Sequence, residues 1–315
     1  MAEAGLLLAA VVAPLVALPW AGRGGPVLLA APALPALVAA LAVPSGVTLG
    51  LPWLLLGGSL GLDDTGRTFL LLAALLWGTA GLHAGKSVTE RRGRFQGAWL
   101  VVMAANFLVS VTTDPVLYLA GFAAVGLGGY GLVVHAGTAE ARRAANRYLA
   151  LVALGEALVF AGMVALAAVE GLPAGWVLAA LVAGFGIKAG LLPLHVWLPL
   201  AHPVAPAPAS AVLSGTLIKT GLLGWLRFLP LGEAAFPKLG GILVVLGLAG
   251  AFLAVAVGMP QTRAKVVLAY SSVSQMGWLV MAVGLGLVAP QRWGGLEPAV
   301  ALFALHHGLA KGALF

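Results

Sequence analysis

Cysteine is absent from this 315-residue sequence, which removes disulfides, thiolate chemistry and Cys-ligated iron–sulfur or zinc sites. Charge is almost as scarce: Asp, Glu, Lys and Arg together make up 9% of the chain, where soluble domains carry about 25%. A water-exposed fold is therefore excluded. Also missing are a Walker motif, a haem-ligation pattern and a nucleophile elbow, so no redox or hydrolytic site and no cofactor is expected within the chain. One glycine pattern does match G-x-G-x-x-G, at Gly126, Gly128 and Gly131. No strand precedes it and it lies inside an apolar run, so close helix packing accounts for it better than dinucleotide binding.

What is there is hydrocarbon. The chain is 61% hydrophobic, with mean hydropathy +1.05, and it reads as successive apolar runs of spanning length. The runs are continuous rather than alternating, which argues against a β-barrel. The fold class is an all-α, polytopic transmembrane helix bundle. Its 44 glycines and 19 prolines suit membrane helices, where small residues allow close approach. Eleven spans are expected, near residues 4–21, 26–43, 66–85, 97–113, 115–135, 146–169, 174–192, 208–229, 238–258, 265–289 and 297–315. Between the second and third, Pro44 to Thr65 is expected to form an irregular or hairpin-like surface element. The first run follows Glu3 rather than a basic segment, so it is read as a retained helix and not a cleaved signal. The last run stops at Phe315 without a polar flank, so the chain is expected to be truncated there.

The net charge of +7 would suggest nucleic acid in a soluble protein. Here the basic residues sit in short loops with no interleaved aromatics, and their distribution is topological. One side collects Arg23, Lys86, Arg91, Arg92, Arg94, Arg142, Arg143, Arg147, Arg263 and Lys265; the other collects Arg67, Arg227, Lys238 and Arg292. The richer side is assigned to the cytoplasm of a prokaryotic plasma membrane, with the N-terminus outside. Of the 17 basic residues, this leaves Lys188, Lys219 and Lys311, which no loop claims.

An ionisable group inside a span is a functional hypothesis by default. Lys188 lies between Gly186 and Gly190 with Pro193 beyond, a composition that breaks or unwinds a helix, and broken helices at membrane depth line hydrated cavities. The alternative is a lysine whose stem carries its ammonium to the interface. Lys219 has about ten residues of helix on either side, beyond the reach of snorkelling, so it must face the bundle interior. It is either a proton relay or the fixed cation of a structural ion pair. His307 and Lys311 are spaced i, i+4 on one helix face, a pairing able to pass protons near neutrality. Glu156 is the one carboxylate well inside a span, a counter-charge for one of the buried lysines. His195 and His202 flank the proline-rich linker; no further ligands lie nearby, so no metal site is expected.

The run P-x-H-x-W-L-P-x-A-H-x-x-A-P-x-P-x-S-A from Pro193 to Ala211, followed by the lysine helix, resembles the signature of the antiporter-like membrane subunits of respiratory complex I, membrane-bound hydrogenases and multisubunit Na+/H+ antiporters. Gln261, Arg263, Lys265 and the Ala269–Gly277 run resemble the next block of that family. His307, Lys311 and Phe315 resemble the H-x-x-x-K-x-x-x-F pattern after it, and Asp64 and Asn106 to Asp114 resemble its N-terminal part. The resemblance implies about fourteen helices with two inverted five-helix repeats, each holding a broken helix and a half-channel. Residues 1–96 would then be N-terminal helices with the hairpin-like segment, 97–229 the first repeat, and 230–315 the start of the second.

It further implies that Lys188 is the broken-helix lysine, Lys219 its partner on the next helix, and His307 with Lys311 the axis toward the second repeat. The cargo would be protons, with sodium as the alternative, and the partners other membrane subunits of a multisubunit complex. The implied activity is proton translocation coupled to redox chemistry elsewhere in a complex-I-like or hydrogenase assembly. The alternatives are a multisubunit cation/proton antiporter, an ion-uptake system such as one for inorganic carbon, or a non-conducting scaffold. Four positions depart from the family: Phe122 and Ala123 stand where it has Trp-Glu, and Leu200 and Thr262 where it has aspartate.

Overall fold

Prolines and glycines set where the apolar chain stops being helical. The computed structural model describes residues 2–315. It begins with α1 (Ala2–Val16), then α2 (Pro26–Ala30), a 3-10 turn (Ala31–Ala33) and α3 (Leu34–Ala42). A two-stranded antiparallel hairpin follows, β1 (Thr48–Gly50) and β2 (Ser59–Gly61), in the register Thr48↔Gly61 and Gly50↔Ser59. Five long helices come next: α4 (Asp64–Ser87), α5 (Arg92–Ser110), α6 (Pro115–Val133), α7 (Ala139–Ala167) and α8 (Gly175–Ala189) precede the short α9 (Leu198–Val204) and α10 (Ala207–Val212). A π-helical segment (Leu213–Leu217) leads into α11 (Ile218–Phe228), and α12 (Pro237–Gly258), α13 (Ala264–Val288) and α14 (Trp293–Leu314) complete the chain.

Among the described residues, eight helical runs are long and apolar enough to cross a membrane. The other three expected spans are helical but differ. Residues 26–43 form two helices rather than one, because Pro32 and Pro35 cannot offer an N–H to the carbonyl four residues back. α5 carries Arg92, Arg94 and Asn106, and α14 carries Glu297, His306, His307 and Lys311, and neither reaches the same apolarity.

The chain forms two compact units. The first comprises Met1–Leu149, Val204–Leu217 and Gly308–Phe315; the second comprises Ala150–Pro203 and Ile218–His307. In the first, Asp63 caps α4 by accepting from Gly66 N at 2.6 Å, and Asp114 caps α6 by accepting from Leu117 N at 2.8 Å. The hairpin is tied to the end of α5: Gly61 N donates to Val111 O at 2.6 Å and Thr112 Oγ1 to Ser59 O at 2.9 Å. Deep in the same unit Trp77 Nε1 donates to Asn106 Oδ1 at 2.8 Å, so the buried amide of α5 is satisfied.

In the second unit α12 and α13 form a helical hairpin packed through small residues. A Cβ at Gly277 would lie 2.6 Å from Gly247 O, and Ser274 Oγ donates to Ala251 O at 2.7 Å. Here α8 and α11 are packed through their backbones: a Cβ at Gly221 would lie 2.4 Å from Phe185 O and 2.8 Å from Ala189 N. The two lysine-bearing helices are thus held at minimum separation.

Candidate proton-relay site

The break in α8 is a Schellman ending. Gly190 adopts φ +79°, a left-handed conformation that a residue with a Cβ resists. Leu191 N then donates to Gly186 O at 2.8 Å and Gly190 N to Ile187 O at 3.4 Å, the 6→1 and 5→2 bonds of that motif. Trp197 Nε1, on the 3-10 turn Leu194–Trp197, returns to Ile187 O at 2.7 Å. Two of the carbonyls that a broken helix leaves open, those of Gly186 and Ile187, are therefore met inside the protein, as hydrocarbon surroundings require. Lys188 sits in this last turn of α8 and is 3% exposed.

Across from it, α7 approaches α8 where both have glycine: a Cβ at Gly184 would lie 2.7 Å from Gly155 O. That contact brings Glu156, next to Gly155, toward Lys188. Lys188 Nζ lies 3.7 Å from Glu156 Oε1, an ion-pair distance longer than a hydrogen bond. The carboxylate inside the sixth expected span thus serves Lys188.

Lys219 is 1% exposed and His307 is 2% exposed. Lys219 Nζ lies 3.0 Å from His307 Nδ1, although 88 positions separate them in the chain. If the lysine is an ammonium it donates, Nδ1 accepts, and the imidazole hydrogen is on Nε2. If the proton sits on the ring, the roles reverse. No periodicity along the chain announces this contact; the i, i+4 spacing pointed from His307 to Lys311 only. The π-helical segment immediately before α11 is a second feature that the sequence did not signal. Such segments recur at functional sites.

The remaining candidates are dispersed. His202 is fully buried on α9. His195 is half-buried, its ring centroid 6.3 Å from that of Tyr270 in an edge-on arrangement. Lys311 is buried in the segment Gly308–Phe315 of the first unit. Phe122 is buried in α6 of that unit and Ala123 is half-buried beside it. Among the described residues no group of three or more His, Asp or Glu side chains is placed to hold a metal ion.

A family model described as NADH:quinone oxidoreductase/Mrp antiporter, transmembrane, matches residues 113–315. Hydrogenase-4 component B of Escherichia coli (strain K12) is 40% identical over 140 residues, covering 42% of this chain and 21% of that protein. NAD(P)H-quinone oxidoreductase chain 4 1 of Picosynechococcus sp. is 32% identical over 284 residues, covering 85% of this chain and 51% of that protein. This chain therefore spans about half the length of that relative, and less of the first. Among solved structures, the Mrp complex from Dietzia sp. DQ12-45-1b contains a chain that superimposes with a TM-score of 0.83 at 21% identity, over 99% of this chain and 63% of that one. That likeness shows a shared fold.

Proposed function

This chain belongs to the NADH:quinone oxidoreductase/Mrp antiporter transmembrane family, and from that premise we propose that it is a proton-translocating, antiporter-like subunit of a complex-I-like or hydrogenase-type membrane assembly. The observation that carries the reading is a pair of buried lysine contacts within one compact unit, Lys188 with Glu156 and Lys219 with His307. Each joins a proton donor to a group that can take the proton.

The two contacts would do different work. Transfer of a proton from Lys188 to Glu156 turns an ion pair into two neutral groups, so its position responds to any charge that arrives nearby. Transfer between Lys219 and His307 moves one positive charge and creates none. In surroundings where uncompensated charge is costly, the first contact suits a switch and the second a conduit. Lys311, four residues beyond His307, would carry the path onward, with His195 and His202 as further relay groups along the linker.

Moving one proton against 100 mV requires about 2.3 kcal/mol. Other membrane subunits with an energy-releasing reaction must therefore be coupled to this one, as the names of its relatives, a quinone oxidoreductase chain and a hydrogenase component, suggest. The loops rich in Lys and Arg would face the cytoplasm and the N-terminus the outside. In vesicles containing the intact complex, Lys219→Ala is expected to abolish proton uptake, read with a pH-sensitive dye, while part of the electron transfer persists. Unchanged uptake would overturn the proposal, and sodium-dependent uptake would reassign the cargo.

A second reading, a non-conducting scaffold, draws on the lack of a carboxylate at Ala123. Proton flux gained only in Ala123→Glu would support it. Measurable flux through the native chain would remove it.

A further inference from the structure

Within the first unit, α2 lies against α4 at one end and parts from it at the other. A Cβ at Gly85 would lie 2.3 Å from Pro26 Cα, and one at Gly81 would lie 2.3 Å from Leu29 O. At Gly78 the nearest atom to such a Cβ is Ala33 Cβ at 3.8 Å, ordinary contact. The separation follows the proline-bearing turn at Ala31–Ala33, where the helix is interrupted. Alongside the contact and on into the opening lies a groove of about 350 Å³, lined among others by Val27, Ala31, Leu34, Leu37, Gly78 and Leu82. Along α4 it runs from Ala74 to Leu82, about 12 Å at 1.5 Å per residue. Apart from Thr79, its lining side chains are hydrocarbon.

At the mouth the chemistry changes sign and character. Lys86 is one turn beyond Leu82 on α4, and Arg92 Nη2 donates to Gly85 O at 3.4 Å. The loop carrying Arg23 is clamped onto Gln96, one turn further along α5: Gly22 N donates to Gln96 Oε1 at 2.7 Å, and Gln96 Nε2 donates to Gly24 O at 3.1 Å. Arg23 and Lys86 are exposed and make no ion pair or side-chain hydrogen bond among the described residues. Between residues 83 and 96 the sequence sets one carboxylate, Glu90, against Lys86, Arg91, Arg92 and Arg94.

We propose that this groove and its basic rim bind one anionic phospholipid, an acyl chain lying along α4 and the phosphate held by Arg23, Lys86 and Arg92. The argument is complementarity at both ends. An apolar groove of this length accepts a linear chain, and its end at Val27 and Leu82 lies one helical turn from Lys86. An uncompensated cluster of cations at the mouth calls for an anion, and a phospholipid joins the two at the required place.

Native mass spectrometry of the purified full chain, titrated with phosphatidylglycerol or phosphatidylcholine, tests the site. One phosphatidylglycerol is expected to be retained in clear preference to phosphatidylcholine. Arg23→Gln and Lys86→Gln are each expected to weaken that preference by about fivefold. Gly78→Leu fills the groove while leaving every charge in place, and it is expected to remove retention of both lipids. Equal retention of the two lipids, or full retention in Gly78→Leu, would overturn the proposal; the latter would mark general attraction of a basic surface. Cross-linking from Leu34→Cys to a second copy or to another subunit, in preference to lipid, would overturn it too. The charge variants are at exposed positions and keep the test decisive if Gly78→Leu does not fold.

Discussion

Lys188 and Lys219 are buried in the same unit on helices that touch backbone to backbone, yet their partners obey different charge rules. Glu156 can cancel the charge of Lys188; His307 can only share the charge of Lys219. The first contact is 3.7 Å and ionic, the second 3.0 Å and within hydrogen-bond range. Removing a partner should therefore have unequal consequences. Loss of Glu156 removes the counter-charge of a buried ammonium, whereas loss of the imidazole removes a proton acceptor that another polar group can replace in geometry though not in chemistry.

The largest expected effect is in Glu156→Ala, which should cost about 3–5 kcal/mol by removing the carboxylate that faces the buried Lys188 ammonium. The midpoint of thermal unfolding in detergent reads it, and adding Lys188→Met should restore most of the loss. A single variant as stable as the parent would mean that the two side chains do not interact. Next comes Gly184→Ala, whose Cβ would meet Gly155 O and Val159 Cγ2, each at 2.7 Å. Forcing α7 from α8 should cost about 1–3 kcal/mol and impair the Lys188 contact while sparing that of Lys219. His307→Gln should change stability by about 1 kcal/mol or less, because the amide oxygen still accepts from the ammonium. It should nevertheless stop proton uptake in the vesicle assay, since an amide does not take up a proton at neutral pH. Normal uptake in this variant would remove His307 from the path.

The smallest effect separates the buried imidazole from a half-buried one in a loop. His135 lies between α6 and α7, where Arg91 Nη1 donates to its carbonyl at 3.3 Å. Burial first, and the Arg91 charge second, hold its imidazole below the usual 6.5, with Glu90 opposing. The unfolded chain then binds more protons there, so stability is lost as pH falls through 6.5 toward the lower folded value. His135→Asn should flatten this slight slope, measured as unfolding midpoint against pH.

Hydropathy made the membrane fold and the buried lysines legible, because a charge inside an apolar run is conspicuous in one dimension. The break after Lys188 was legible for a similar reason: Gly186, Gly190 and Pro193 are local instructions. Two things were not. Prolines are tolerated in membrane helices, so Pro32 and Pro35 did not mark residues 26–43 as two helices. The contact between Lys219 and His307 depends on tertiary packing across 88 positions, which periodicity within a helix cannot register. Likewise Glu156 was visible as a counter-charge, but only the Gly155–Gly184 approach selects Lys188 as the lysine it meets.

Ending α8 at Gly190 also has an electrostatic result. The aligned peptide dipoles of a helix leave roughly half a negative charge at its C-terminus, worth about 0.3–1 kcal/mol to a cation there and up to about 2 when partly buried. In an unbroken span that charge would lie at the membrane surface, where water and salt screen it. Here it lies in the interior, in the turn that carries Lys188. The ammonium is flanked by the end of its own helix as well as by Glu156, and the peptide contribution stays in place whichever way the carboxylate is protonated.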